Sequence, residues 1–457
     1  MATVQEDLVA GLEGFSGRLL GPDDDGYDEA RRIHNGLIDK RPALIARCLG
    51  TADVAAAIDL SRERGLEISV RGGGHNVAGK AVTDGGVMID LALMKGMHVD
   101  PSGRTIRTQG GVTWGELNRE TQLHGLAVTG GVVSTTGIAG LTLGGGLGYM
   151  MGKFGLSTDN LISAEVVTAD GRVLIASADE NPDLFWAIRG GGGNFGVVTS
   201  FEYRLHAVGP IVTGGLVIHP FEAARDFLRF MREYTADLSD EMTLFVGLLH
   251  APDGSGARLC GAVLCHTGTP EQAGKDLEPL LTFGSPLDVP VSQMPYTLVN
   301  QLIDGGFPKG ALNYWKSAFM RELSDEAIDT MVEAFEACPS PMTALIFEHF
   351  HGEVTRVPVD AMAVPHREPG LNLVVPSIWM DPSTTDQNIA WTQETFAAMQ
   401  PFAAERQYVN YQGADESAQD QVRRAYGPNY DRLVELKTKY DPENLFRLNQ
   451  NIEPQAS

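Results

Sequence analysis

Chemistry in this chain points first to Arg71-Gly72-Gly73-Gly74-His75-Asn76-Val77-Ala78-Gly79. Consecutive glycines leave no Cβ in the way, so successive backbone N–H groups can close around an anion. His75 would then sit at the rim of that cradle. A second cluster is Glu348-His349-Phe350-His351. In an extended strand His349 and His351 share one face, while Glu348 and Phe350 take the other. The carboxylate therefore points away from both imidazoles and no third ligand is near in sequence, which argues against a metal.

Two glycine motifs fail on their context. Gly74-x-x-x-x-Gly79-Lys80 has Ala81 where a nucleotide-phosphate loop needs a hydroxyl to hold magnesium. Gly191-x-Gly193-x-x-Gly196 matches a dinucleotide fingerprint as a string. It follows a predicted helix and enters a strand, whereas that fingerprint must leave a strand and open a helix.

The elements around these residues alternate. A predicted helix runs from Thr51, taken as its N-cap, to a stop at Gly65. Strands are predicted at 66–70, 87–91, 105–109, 164–168, 173–176 and 195–203, with helices at 113–124 and 182–188. Between Leu126 and Gly152 there is no Asp, Glu, Lys or Arg, yet nine of those 27 residues are glycine. That much glycine makes a poor helix even in a membrane, so a buried, loop-rich wall fits better.

After Pro210 the pattern becomes strands at 212–218, 243–249, 258–265, 344–350 and 371–379, with helices at 221–238, 270–281, 325–338 and 386–399. This predicts an antiparallel sheet covered on one face by helices. Pro376 marks an edge strand or a bulge. The expected organisation is α+β, with residues 1–205 as one block and 206–405 as an inserted domain. Residues 406–457, helical from 417 to 440, would form a returning segment.

Composition narrows the partners. At 457 residues the chain exceeds one compact core. With 35 Lys plus Arg against 59 Asp plus Glu, the net charge of −24 repels phosphate backbones and anionic lipid. No nucleic-acid or membrane partner is expected. Cys48, Cys260, Cys265 and Cys338 form no metal or CxxC spacing and read as reduced thiols. The acidic start, Met1 to Asp7, lacks the features of a secretory signal, so a cytoplasmic chain is expected.

The order of these motifs carries a resemblance. The histidine-bearing cradle is followed by the glycine wall, then by Phe154-Gly155-Leu156-Ser157-Thr158-Asp159-Asn160 and Gly193-Asn194-Phe195-Gly196-Val197-Val198-Thr199. This series resembles the FAD-binding domain of the vanillyl-alcohol oxidase and p-cresol methylhydroxylase superfamily. The tail, with Tyr426-Gly427-Pro428-Asn429-Tyr430 and 439–452, resembles its berberine-bridge-type branch. The likeness covers about 41–203 and 410–452 and is faint between them, where substrate is chosen.

What the resemblance implies is an FAD-dependent oxidoreductase with a two-part FAD-binding domain and an inserted substrate domain. His75 matches the histidine joined covalently to the flavin 8α-methyl. Arg71, Gly72, Gly73, Gly74, Asn76 and Gly79 match the cradle. Gly130, Gly131, Ser134, Thr135, Thr136, Gly137, Gly140, Leu141, Gly145 and Gly148 match the wall, where Gly144 and Gly146 also let backbone run flat against the ring. Asn160, Val197, Val198, Asn410 and Asn449 match further cofactor contacts. Ile138 and Ala139 are expected near the ring face that dioxygen reaches. Doubly linked members add a cysteine near Val133; no cysteine is there, so a single link is expected.

For catalysis, Tyr411 matches the base of some alcohol-oxidising relatives. In the family the strand of His349 and His351 lies over the substrate side of the flavin, so either imidazole is a candidate to orient substrate or take a proton. The later strand, 374–379, carries no acid where berberine bridge enzymes have a glutamate. A lysine of nicotine-oxidising members aligns with Phe347. The expectation is therefore oxidation of a CH–OH or CH–NH group of a small cyclic or aromatic metabolite, with dioxygen as acceptor. The alternatives are a sugar or oligosaccharide oxidase, or a flavin-binding protein without turnover. Oligomeric state is left open, a homodimer included.

Overall fold

The computed structural model describes Leu8, Gly11, Leu12 and residues 14–455; the acidic start read above, Met1 to Asp7, lies outside them. The N-terminal strands are β1 (Arg18–Leu20), β2 (Leu44–Arg47), β3 (Ile68–Arg71) and β4 (Val87–Asp90), in sheet order β1-β2-β4-β3. β2, β4 and β3 run parallel, so the chain leaves β3 at the carboxyl edge of a parallel sheet. Ligands of open α/β sheets lie at that edge. The helix Thr51–Arg64 covers this sheet and ends at Gly65, whose φ of 63° is natural only for glycine. Thr51 is its first helical residue and not the cap: its hydroxyl donates to Glu165 Oε1 at 2.6 Å. Asp53 anchors the entry by accepting from the N–H groups of Ser16 and Leu49.

A second, antiparallel sheet contains β5 (Met97–Asp100), β6 (Thr105–Gln109), β8 (Leu161–Val167), β9 (Val173–Ser177) and β10 (Val197–Arg204), ordered β5-β6-β10-β8-β9. The short β7 (Leu126–Ala127) pairs with β11 (His206–Ala207). The core beneath this sheet also takes in Val409, Tyr426, Leu433 and Ile452, so the C-terminal segment packs into the same unit as Trp114 and Phe195.

The intervening region builds one seven-stranded sheet, ordered β15-β12-β14-β13-β17-β18-β16. Its strands are β12 (Ile211–Pro220), β13 (Met242–His250), β14 (Arg258–His266), β15 (Ser292–Pro295), β16 (Leu312–Phe319), β17 (Leu345–Phe350) and β18 (Gly370–Trp379). All of its pairings are antiparallel. Leu244, Val246 and Leu248 of β13 and Leu345 and Phe347 of β17 turn to one face and are buried with the helices Ala224–Tyr234 and Asp325–Glu336. Each such side chain contributes roughly 1.5–3 kcal/mol of burial. The opposite face looks toward the cradle.

Pro376 is tolerated for a local reason. β18 is flanked on both sides, but its pairing with β17 stops at Ile346↔Val374. Beyond that point β18 has only β16 beside it, with Pro376 opposite Trp315, so the missing N–H falls where no β17 acceptor waits.

Candidate active site

The cradle begins where Arg71 ends β3. Its guanidinium is buried against Asp90, the residue it pairs with on β4, with Nε to Oδ1 at 2.9 Å and Nη2 to Oδ2 at 2.5 Å. Arg47 also reaches Asp90 Oδ2, at 3.0 Å. Arg71 thus fastens the base of the loop and does not line the cavity above it. Gly74 has a φ of 66° and its carbonyl accepts from His34. The N–H groups of Gly73, Gly74, His75 and Asn76 find no acceptor among the described residues. Neighbouring amides left without partners in this way form an anion-binding concavity.

His75 lines the cavity beside these amides. Its ring stacks on His34 with centroids 3.7 Å apart and planes 22° apart. Its Nε2 lies 3.3 Å from Thr135 Oγ1, and its own backbone hydrogen-bonds the ring as well. Burial, and then the neighbouring His34, push its pKa down to about 3, so the imidazole is neutral and its lone pair available. His34 is itself buried, with Nε2 unpartnered.

The structure divides the residues matched to the cofactor into two groups. Gly72, Gly73, Gly74, His75, Asn76, Gly131, Thr136, Gly137, Gly140, Leu141, Val197, Val198, Asn410 and Asn449 all line one cavity of 760 Å3. Arg71, Gly79, Gly130, Ser134, Thr135, Gly145, Gly148 and Asn160 do not line it. Ser134 is held by Asp304, through its N–H at 2.8 Å and its hydroxyl at 2.5 Å. Asn160 donates to the carbonyls of Phe154 and Leu156, and its Oδ1 accepts from His206 Nε2.

The wall glycines need correcting in the same sense. A Cβ on Gly148 would fall 1.8 Å from the Gly130 carbonyl, one on Gly130 would strike Trp114, and one on Gly146 would strike Ser157. These glycines let protein backbone meet protein. Gly73 and Gly137 approach so closely that a Cβ on either would lie 2.4 Å from the other's nitrogen. Gly140 alone of the matched wall glycines has open space where a Cβ would go. Ala139 lines the cavity, whereas Ile138 is buried in the core.

At the other side of the cavity, Tyr411 and Glu348 meet. The phenol donates to Glu348 Oε1 at 2.6 Å, and Asn372 Nδ2 donates to Oε2 at 2.8 Å. Burial raises the Glu348 carboxyl to about 7, against smaller opposing effects of the Tyr411 and Asn372 hydrogen bonds. Burial first, and Glu348 second, hold the Tyr411 phenol well above its usual range. Asn410 steadies the approach, donating to the Leu141 carbonyl at 3.0 Å.

His349 and His351 are the opposite case. They do share a face and stack with centroids 4.8 Å apart. That face is the one turned from the cavity, because Leu345 and Phe347 on the same parity pack beneath the helices. His351 Nε2 is engaged by the Met242 carbonyl at 2.9 Å. Ile346 and Glu348 face the cavity instead, and Phe347 does not line it. Alternation is legible in the sequence; which parity faces the cavity is set by the helices packed on the other side. The bulky apolar pair Leu345 and Phe347 was the signal that would have chosen correctly.

Comparison with known proteins agrees with this construction. Residues 42–177 match the FAD binding domain family, and 407–453 match the berberine and berberine-like family. The chain is 32% identical to (R)-6-hydroxynicotine oxidase of Paenarthrobacter nicotinovorans over 97% of its length and 98% of the relative's. It is 32% identical to a FAD-linked oxidoreductase of Dictyostelium discoideum, covering 90% and 89%. The crystal structure of 6-hydroxy-D-nicotine oxidase from Arthrobacter nicotinovorans superposes with a TM-score of 0.88 at 30% identity, covering 96% of this chain and 98% of that one. The chain belongs to the FAD-linked oxidoreductases, in the branch with a berberine-like C-terminal segment.

The residues present fit FAD. The free amides of 73–76 suit a diphosphate. Gly140 leaves open space for a flat ring system, and Asn449 lines the cavity with a buried, unpartnered Oδ1. Lys80, which donates to Asn449 O at 2.5 Å and Gln450 Oε1 at 2.8 Å, draws the C-terminal segment over the cradle. Among the described residues no helix is long and apolar enough to cross a membrane.

Proposed function

We propose that the chain oxidises an alcohol carbon of a small cyclic or aromatic metabolite, with FAD tethered to His75 and dioxygen as the final acceptor. The observation that carries this reading is the 2.6 Å hydrogen bond from Tyr411 to Glu348 inside the cavity. An amine substrate would need no such acceptor; a hydroxyl does. Tyr411 receives the substrate hydroxyl proton as its own passes to the Glu348 carboxylate, so no free phenolate has to form. Asn372 keeps the carboxylate oriented toward the phenol. FAD, when bound, would supply the acceptor for the C–H hydrogen and its electron pair and pass the pair to dioxygen; Glu348 would give up the hydroxyl proton in the same turnover, so that substrate and dioxygen leave as carbonyl compound and hydrogen peroxide.

Tethering at His75 is supported by a neutral ring at the mouth of the cavity and by its stack on His34, which holds the imidazole at one angle. The relatives' substrates differ: one is a hydroxynicotine oxidase and another a monolignol oxidoreductase of Arabidopsis thaliana. The reading is tested by mixing the yellow protein anaerobically with matched alcohols and amines. Bleaching by an alcohol, with stoichiometric peroxide on admitting air, is the expected result. Bleaching by amines alone would refute it.

A further inference from the structure

Resting on the alcohol-oxidising reading, we infer that the substrate is an elongated apolar molecule, of the fused-ring aryl alcohol class, seated along a trough on the open face of the seven-stranded sheet. The reacting end is fixed by Glu348, which lies opposite Phe245 on β13. Two more rows of side chains follow along the strands, away from Tyr411. The first is Ile218, Gly261, Gly247 and Ile346, side by side on four adjacent strands. Beyond it comes Leu249, while Pro376 and Trp315 flank the trough on the outer strands, the Trp315 ring reaching back to Tyr411 with centroids 5.8 Å apart. From Phe245 to Leu249 the strand advances about 13 Å, at ~3.3 Å per residue.

The floor of this trough is bare backbone. Gly247 and Gly261 are directly opposite each other, and a Cβ would lie 2.1 Å from the Leu345 carbonyl at the first and 2.4 Å from the Val217 carbonyl at the second. No side chain can be restored there without moving a neighbouring strand. The result is a slot walled by Ile218 and Ile346, wide enough for a flat ring. Among the described residues, Glu348 at the reacting end is the ionisable side chain that the strands turn to this face; His250 has the parity of Leu248 and packs on Phe335 beneath the sheet. Past Glu348 the strands present Ile346, Ile218 and Leu249, with no polar side chain among them to replace the water a sugar would lose, and unmet hydroxyls would weigh against binding. The trough therefore favours aromatic body over saccharide.

The test uses the flavin-loaded protein and three alcohols, benzyl alcohol, naphthylmethanol and anthracenylmethanol, with cellobiose as the polar comparison. Binding is read from the visible flavin spectrum and Trp315 fluorescence, and oxidation from anaerobic bleaching. Dissociation constants are expected to fall about fivefold to tenfold with each added ring, the effect of burying another ring of apolar surface. Cellobiose is expected to bind more weakly than any of the three. Ile346→Asn, and Ile218→Asn at a half-exposed wall position, should each weaken anthracenylmethanol more than benzyl alcohol. Equal affinities across the series, or tighter cellobiose, would overturn the trough even if alcohols were oxidised. A tightening series with no bleaching would uphold it and remove the alcohol-oxidising reading instead.

Discussion

Tyr411 donates to Glu348 across 2.6 Å although the two are 63 residues apart in the chain, one on the returning segment and the other on a central strand. Both line the cavity that the cradle opens into. Because burial lifts the Glu348 carboxyl to about 7, its ionised, proton-accepting form grows in as pH rises through neutrality. kcat/KM for an alcohol is therefore expected to climb with pH and level off above about 7. Glu348→Gln should lose about 100-fold or more and flatten that profile, while an amine of the same skeleton should keep its rate.

The flavin link is read by colour. Acid-precipitated wild-type protein should carry its yellow colour in the pellet. His75→Ala should release all of it to the supernatant while the refolded protein still takes up FAD, since the cradle amides are backbone and survive the change. Colour in the wild-type supernatant would remove the tether.

His349 is expected to tolerate change. It faces the helix-covered side and does not line the cavity, so His349→Leu should alter kcat/KM by no more than about threefold. Steady-state kinetics with any accepted alcohol check this. A loss comparable to that of Tyr411→Phe would return the histidine to the chemistry.

The C-terminal segment hangs on one buried ion pair. Lys437 Nζ meets Asp441 Oδ2 at 2.5 Å and also donates to the carbonyls of Asn194 and Phe446, at 2.9 Å each. Both charged side chains are fully buried. Lys437→Met would strand the carboxylate and should cost about 3–5 kcal/mol in denaturant unfolding. A change below about 1 kcal/mol would mean that water reaches Asp441.

What the sequence shows of this site follows from locality. The cradle with His75, the Gly65 stop and the alternation of β17 are short-range patterns and are legible as written. β16 (Leu312–Phe319) is not: Asn313-Tyr314-Trp315-Lys316 breaks the apolar alternation, and the strand exists because β18 pairs with all of it. Wall glycines look alike in sequence whether their missing Cβ faces open space, as at Gly140, or a neighbouring carbonyl, as at Gly148. Glu348 was hidden for another reason. A carboxylate beside two histidines invites comparison with metal ligands, and its partner Tyr411 arrives only when the tail folds back.

The most direct measurement is stopped-flow, anaerobic bleaching of the flavin by an accepted alcohol, comparing wild type with Tyr411→Phe. The phenylalanine ring keeps the packing against Tyr408 and Trp315 and removes only the hydroxyl. A fall of about 100-fold to 10,000-fold in the bleaching rate, with the flavin content unchanged, is the predicted result. An undiminished rate would contradict the account.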